Sequence, residues 1–164
     1  MLCAPDPIGD PEHMLPEGVL DDVIACGVSR AARPEFLALL KPLGTMIELS
    51  AGQDLFNQGD RADALYVVLD GLAEISSLSG DGRRVAHLLL APGTVFGEMA
   101  LIEGRQRSTD VSAKQTTRFL RVARNALLEE VRHNNALAVE LLQLTITRLR
   151  WMSAQLEDDA FQSL

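Results

Sequence analysis

Cysteine and histidine are scarce in this chain of 164 residues, and their placement disfavours two common kinds of site. Cys3 and Cys26 form no CxxC pair and have no companion histidines, so the sequence supports neither a disulfide framework nor a zinc site. His13, His87 and His133 lie far apart and are predicted in a tail, a strand and a helix junction. We therefore expect free thiols and no bound metal.

Positive charge and aromatic side chains are also in short supply. The formal net charge is -8 at pH 7, and the chain has one Trp and one Tyr. Affinity for nucleic acid depends largely on Lys and Arg that neutralise phosphates, and single strands also need aromatic side chains on which bases stack. The sequence thus predicts no nucleic acid partner for this chain itself.

Long hydrophobic runs are missing as well. The longest apolar stretches, such as Leu65 to Leu69 and Leu88 to Pro92, suit strands and are too short to cross a bilayer. The first 16 residues contain four prolines and several acidic residues, unlike a signal peptide. We expect a cytoplasmic protein without a membrane span.

What the chain does have is a change of hydrophobic period along its length. Residues 1–28 are rich in Pro, Asp, Glu and Gly and predict a flexible N-terminal lead, whereas residues 29–164 predict one domain. Pro34 favours the start of a helix, which Pro42 and Gly44 end. Short strands between turn residues follow, near residues 45–49, 53–56, 64–69, 72–77, 84–90, 94–96, 108–113 and 117–122. This pattern predicts a mainly β fold, an eight-stranded double-sheet jelly roll flanked by N-terminal and C-terminal helices, and excludes a Rossmann fold.

The period returns to that of helices after Val122, with a short helix predicted near residues 125–132 and a longer one near 134–156. One apolar face of the long helix contains Leu137, Leu141 and Leu144. The other face, at near-heptad spacing, comprises Leu142, Ile146, Leu149, Met152 and Leu156. Two apolar faces need two partners, so either both pack on the jelly roll or the near-heptad face pairs with a second copy in a homodimer. The acidic residues 157–159 are expected to fray.

The segment from Phe96 to Val111 has the chemistry of a phosphate site. Gly97 follows a predicted strand and precedes a short helical turn, whose first amides are unpaired and favour an anion. Arg107 returns a few residues later and can hold two phosphate oxygens at once. Glu98 would repel an anion unless its carboxylate accepts a hydroxyl, and a phosphate on a sugar supplies that hydroxyl. Each residue also has an interpretation without a ligand. A glutamate in the first turn of a helix is favoured by the helix dipole, and an arginine on a polar loop is usually solvated.

Three motifs in order give the chain a resemblance to the cyclic nucleotide-binding domain family. They are AGQDLF with QGD at residues 51–60, LYVVLDG at 65–71, and FGEMAL at 96–101 followed by Arg107 and Ser108. That family includes the effector domain of the catabolite activator protein and the regulatory subunits of cyclic AMP-dependent protein kinase. The resemblance covers roughly residues 33–156.

The resemblance implies roles for individual residues in the phosphate-binding cassette, residues 96–111. Gly97 would permit close backbone approach, and Glu98 would accept the ribose 2′-hydroxyl. The amides near Ala100 and Leu101 would contact the cyclic phosphate, with which Arg107 would pair.

Three more residues complete the implied ligand set, namely Met99, Ser108 and Thr109. Ser108 would offer its hydroxyl to the phosphate or the purine. The chain departs from the family pattern at Gln106, where a proline is usual, and at Thr109, where a small alanine is frequent. Gln106 loosens the loop and Thr109 crowds it, so affinity is affected more than the class of ligand.

The long C-terminal helix would supply tentative contacts to the base through Trp151, Met152 and Ser153. In the family this helix, or a segment after it, covers the purine. Trp151 would stack on the base and Ser153 would bond to its edge. The alternative is a tryptophan packed on the jelly roll or at a dimer seam.

The resemblance implies a non-catalytic regulatory domain with cyclic AMP, or cyclic GMP, as ligand. Occupancy of the cassette would move the C-terminal helices, and an effector protein or a fused domain would respond. One alternative is a degenerate jelly roll that serves as a structural or dimerisation module and binds no nucleotide. Another is a metalloenzyme of the cupin kind, which the scattered histidines disfavour.

Overall fold

The computed structural model describes the backbone of residues 31–162 and their side chains, except those of Gln155 and residues 158–162. The predicted lead, residues 1–28, lies outside the described residues. The helices are α1 (Pro34–Leu40), a 3-10 turn (Lys41–Leu43), α2 (Glu98–Glu103), α3 (Arg124–His133) and α4 (Asn135–Gln162). The strands are β1 (Thr45–Leu49), β2 (Asp54–Phe56), β3 (Ala64–Asp70), β4 (Ala73–Leu78), β5 (Arg84–Leu90), β6 (Val95–Phe96), β7 (Asp110–Ala113) and β8 (Thr117–Ala123).

The eight strands form two antiparallel sheets of four strands each. One sheet has the order β1-β8-β3-β6 and the other the order β2-β7-β4-β5. The predicted fold class, a mainly β double-sheet jelly roll with helices at the ends, is confirmed. The strand β6 is only two residues long and pairs with β3 through Tyr66 and Val67. A single residue, Gly97, separates the end of β6 from the start of α2.

The inner faces of the two sheets enclose one hydrophobic core. Side chains alternate along β3, so that Tyr66 and Val68 point between the sheets while Leu65 and Val67 point to the opposite face. Tyr66 stacks on Phe96 with ring centroids 5.7 Å apart. This aromatic pair fixes the end of β6 immediately before Gly97.

The helices cover the outer face of the β1-β8-β3-β6 sheet and form a second core. Phe36 and Leu40 of α1, Leu127 of α3, and Leu137 and Leu141 of α4 pack there, and all five are at least nine-tenths buried. Burial of a side chain of this kind contributes about 1.5 to 3 kcal/mol, which explains why short helices such as α1 are held in place.

The long helix α4 uses its two apolar faces differently. The face with Leu137, Leu141 and Leu144 packs on the jelly roll, as both predicted arrangements require. Leu142, Ile146, Leu149, Met152 and Leu156 form the near-heptad stripe, and each is between 45% and 71% exposed. The idea that both faces pack on the jelly roll is therefore wrong for this stripe.

The end of α4 differs from the prediction. We expected the helix to finish near Leu156 and the acidic residues after it to fray, but the helix continues to Gln162. The sequence beyond Leu156 has no glycine or proline, so nothing in it forces the backbone out of the helix.

Within residues 31–162, no helix is both long enough and apolar enough to span a bilayer. The cytoplasmic location stays a prediction. In the same part of the chain, no group of three or more His, Cys, Asp or Glu side chains is placed to hold a metal ion.

Candidate functional site

Gly97 forms the joint between β6 and α2. Its φ is +83°, in the left-handed region that glycine adopts readily and residues with a Cβ rarely adopt. A Cβ at this position would lie 2.7 Å from Nη1 of Arg107. The backbone conformation therefore favours glycine here, and a Cβ would also displace the guanidinium of Arg107.

Arg107 is buried beside this joint, with 4% of its surface exposed. Its Nη1 donates to the carbonyl oxygen of Gly97 at 2.8 Å, and its Nη2 donates to the carbonyl oxygen of Ala64. The guanidinium lies over the ring of Phe56, 4.2 Å from the centroid. Backbone carbonyls and an aromatic face thus hold the cation, and none of its direct contacts is a carboxylate.

The remaining donor of Arg107 has no partner. Its Nε is buried and is the one side-chain polar atom in the described part of the chain that is both buried and without a hydrogen bond. Burial lowers the pKa of Arg107, an effect that the charges of Tyr66, Asp63 and Glu98 partly oppose. A buried cation with an unsatisfied N–H is costly, and an anion that accepts from Nε would remove that cost.

Glu98 is the first residue of α2 and is completely buried, at 0% exposure. Nη1 of Arg148 lies 2.7 Å from Oε1 and 2.5 Å from Oε2 of its carboxylate. Nη2 of Arg148 donates to the carbonyl oxygen of Val95. The carboxylate predicted to accept a sugar hydroxyl is therefore bonded to the long helix α4.

Arg148 was missed as a site residue by sequence reasoning, although a signal was present. The inward stripe of α4 runs through Leu137, Leu141 and Leu144, and the next position at helical spacing is Arg148. A cation at the end of a buried apolar stripe needs a buried anion. Glu98 was the obvious carboxylate to consider.

The other predicted residues of the cassette surround this centre. Leu101 is buried and Ala100 is half-buried, whereas the side chain of Met99 is 36% exposed. Ser108 is exposed and Thr109 half-buried, directly after Arg107. The structure brings Gly97, Glu98 and Arg107 together, and the ligand contacts of all these residues stay predictions.

The predicted base contacts lie further along α4. Trp151 and Met152 are each 45% exposed, and Ser153 is exposed as well. They begin about one helical turn beyond Arg148, which anchors α4 to the cassette. A role for them in covering a base also stays a prediction.

Comparison with known proteins identifies the family. The family model described as cyclic nucleotide-binding domain matches residues 46–134, more than half of the chain. The CRP-like cAMP-activated global transcriptional regulator of Mycobacterium tuberculosis is 24% identical over 143 residues, which cover 87% of this chain and 64% of that protein. The chain thus spans somewhat less than two thirds of that relative.

Two solved structures are similar in fold. The catabolite activator protein of Thermus thermophilus has 30% sequence identity and a TM-score of 0.70, over 79% of this chain and 61% of the other. A structure described under a cyclic-GMP-dependent signalling pathway that regulates bacterial phytopathogenesis has 28% identity and a TM-score of 0.64, over 74% and 96% of the two chains. Residues 46–134, which the family model matches, contain the whole cassette. The chain belongs to the cyclic nucleotide-binding domain family.

Proposed function

We propose that this chain is a non-catalytic regulatory domain that binds a cyclic nucleotide, preferentially cyclic AMP, in the cassette between Gly97 and Thr109. The observation that carries the proposal is Arg107, a buried guanidinium without a carboxylate contact and with a free Nε–H. A cyclic phosphate carries the charge and the acceptor oxygens that such a group needs. The unit that performs this function would comprise residues 29–164.

The second part of the ligand would be recognised at Glu98. A cyclic nucleotide presents a ribose hydroxyl next to its phosphodiester, and the Glu98 carboxylate lies one residue after the glycine that Arg107 contacts. Cyclic AMP is preferred in the proposal because the mycobacterial relative is named for activation by cAMP. The neighbour described under cyclic-GMP-dependent signalling makes cyclic GMP the ligand to compare.

Coupling to the long helix would run through Arg148. A ribose hydroxyl that donates to one carboxylate oxygen of Glu98 would weaken the contact of that oxygen with Nη1 of Arg148. A ligand shifts a two-state equilibrium only by its difference in affinity for the two states, and this shared carboxylate provides such a difference. The occupied cassette would thereby change the position of α4 on the jelly roll.

The near-heptad stripe of α4 would transmit the change to a second copy of this chain. Leu142, Ile146 and Leu149 are between 48% and 62% exposed and follow one another at spacings of four and three residues. This spacing is typical of helices that pair in coiled coils. A fused domain or an effector protein would then read the state of the dimer.

The rival function is a structural module that binds no nucleotide. The bond between Arg148 and Glu98 favours it, because the carboxylate already has a cationic partner within the protein. Thermal unfolding with cyclic AMP separates the two, since a ligand specific for the folded state adds about 2.7 kcal/mol at 100 times its dissociation constant. No stabilisation at millimolar cyclic AMP or cyclic GMP would favour the structural module.

Substitution of Arg107 tests the proposal directly. Truncating one partner of a buried charge pair costs about 2 to 5 kcal/mol, so Arg107→Ala should weaken cyclic AMP binding by about 30-fold or more in isothermal titration. The matched control is Arg83→Ala, because that arginine is on a hairpin with 84% of its side chain exposed. Equal affinities for parent and Arg107→Ala would contradict the assignment.

A further inference from the structure

A cleft lined by arginines lies beyond the cassette, at the point where three segments meet. Its volume is about 240 Å³, and it is lined by Arg61 and Ala62 before β3, by Gly104 and Arg105 after α2, and by Arg124 at the start of α3. A second cleft of about 350 Å³ shares Arg61, Ala62 and Arg124. None of the predicted cyclic-nucleotide contacts lines either cleft.

The guanidinium groups of this arginine cleft have few anionic partners. Arg61 makes no hydrogen bond or ion pair through its side chain with any described residue. Arg124 donates from Nε to the carbonyl oxygen of Leu101 at 3.0 Å and contacts no carboxylate. Arg105 has one partner, Glu103 at 3.5 Å, and both of those side chains are more than half exposed, so the pair is weak.

The positive charge is local, since the chain as a whole has a net charge of -8 and contains 23 acidic residues. Three arginines line the cleft and only Arg105 contacts a carboxylate of a described residue, so their charges create a positive potential there. Asp63 lines the second cleft, but its carboxylate is bonded to Arg121 at 2.9 Å. The described carboxylates therefore leave part of the positive charge in the cleft unneutralised, and an anion from outside the chain could neutralise it.

The start of α3 adds to this potential. Its N-cap residue, Ala123, has no side chain that could accept from the first-turn amides, and of these the amide of Arg124 donates to the carbonyl oxygen of Asp63 at 2.9 Å. The positive end of the helix dipole therefore lies beside the residues that line the second cleft. A guanidinium group can donate two parallel hydrogen bonds to two oxygens of one phosphate, and the N-terminus of a helix also favours a phosphate. The size of the cleft suits one or two phosphate groups.

We propose that the arginine cleft binds the phosphate group of a small ligand at a site separate from the cassette. The site would be connected to the cassette through the backbone. Arg61 pairs with Gln106 in an isolated β-bridge, the amide of Arg107 donates to the carbonyl oxygen of Asp60 at 2.8 Å, and Arg124 holds the carbonyl of Leu101.

The test is a titration of the full chain with pyrophosphate at low ionic strength, followed by calorimetry and by backbone amide NMR. We expect saturable binding with one equivalent and shifts at the amides of Gly104, Arg105 and Asn125. Arg61→Gln with Arg124→Gln should weaken binding at least tenfold. Arg61→Gln alone should weaken it about threefold or more, and this variant keeps the fold because the side chain has no partner to lose.

Two controls locate the effect. Arg83→Gln with Arg132→Gln removes the same charge from exposed positions and should change the affinity less than twofold. Arg107→Ala should retain pyrophosphate binding, because that residue belongs to the cassette. Absence of saturable binding, equal losses in both double variants, or loss in Arg107→Ala would overturn the proposal.

A parallel titration with ADP distinguishes the source of the phosphate. Binding of ADP no tighter than that of pyrophosphate would assign the site to free phosphates, and tighter binding that is lost in Arg61→Gln would assign it to a phosphate ester. Either result supports the arginine cleft.

Discussion

Replacement of Arg148 tests how the long helix is tied to the cassette. In Arg148→Gln the carboxylate of Glu98, which is 0% exposed, loses both contacts to Nη1. Removing one partner of a buried pair costs about 3 to 5 kcal/mol. The side chain of Arg148 is itself 26% exposed, so water can reach part of the site and the lower end of that range applies, about 3 kcal/mol.

The assay is thermal and urea unfolding of the parent, Arg148→Gln, Glu98→Gln and the double variant. A loss of about 3 kcal/mol lowers the midpoint by about 6 to 12 °C for a domain of this size. The double variant should lose less than the sum of the single losses, with a coupling energy of about 1 kcal/mol or more, because it leaves no buried charge unpaired.

The control is Arg118→Gln, which breaks a pair with Asp70 at 3.1 Å between side chains that are 47% and 63% exposed. Exposed pairs of this kind contribute about 0 to 1 kcal/mol, so this variant should unfold close to the parent. If Arg148→Gln is no less stable than Arg118→Gln, or if the two single effects add within about 0.5 kcal/mol, the link between cassette and helix is refuted.

Two further predictions follow from the geometry. Gly97→Ala should cost about 1 to 2 kcal/mol in stability from the left-handed backbone alone, and its Cβ should displace Arg107 and weaken cyclic AMP binding at least tenfold; an unchanged calorimetric titration would contradict this role. Leu142→Glu with Ile146→Glu should make the chain monomeric in sedimentation equilibrium, whereas Thr147→Glu on an exposed neighbouring position should not. Identical molar masses for parent and Leu142→Glu with Ile146→Glu would exclude pairing through this stripe.

Much of the fold could be predicted from the sequence because local signals agreed with the global structure. Turn residues separate all but one consecutive pair of predicted strands, and the strands at 45–49 and 84–90 were predicted with the bounds of β1 and β5. The end of α4 lies later than predicted, because the acidic residues after Leu156 do not end a helix when no glycine or proline follows them.

The candidate site was predictable only in part. Gly97, Glu98 and Arg107 are close in the sequence, and the short helix α2 with the loop after it brings them together. The contact between Glu98 and Arg148 joins residues 50 positions apart, and it depends on the rotation of α4 about its own axis. The hydrophobic period of a sequence predicts which residues share one face of a helix. It does not predict which residues of other elements that face contacts.

The free donor of Arg107 was likewise invisible to the sequence. Its isolation results from the carbonyl oxygens of Gly97 and Ala64, which bind the two Nη atoms, and from the ring of Phe56, which covers the guanidinium. These three groups come from different strands and loops. Their meeting point is a property of the jelly roll and not of a motif.

The most direct measurement is the NMR signal of the Nε–H group of Arg107, assigned by its loss in Arg107→Lys and followed during titration with cyclic AMP. The account predicts a large, saturable shift of this one signal with one equivalent of nucleotide, because the cyclic phosphate accepts the hydrogen bond that the protein leaves unmade. A signal that stays in place while cyclic AMP is added to millimolar concentration would contradict the claim that this arginine is the phosphate receptor.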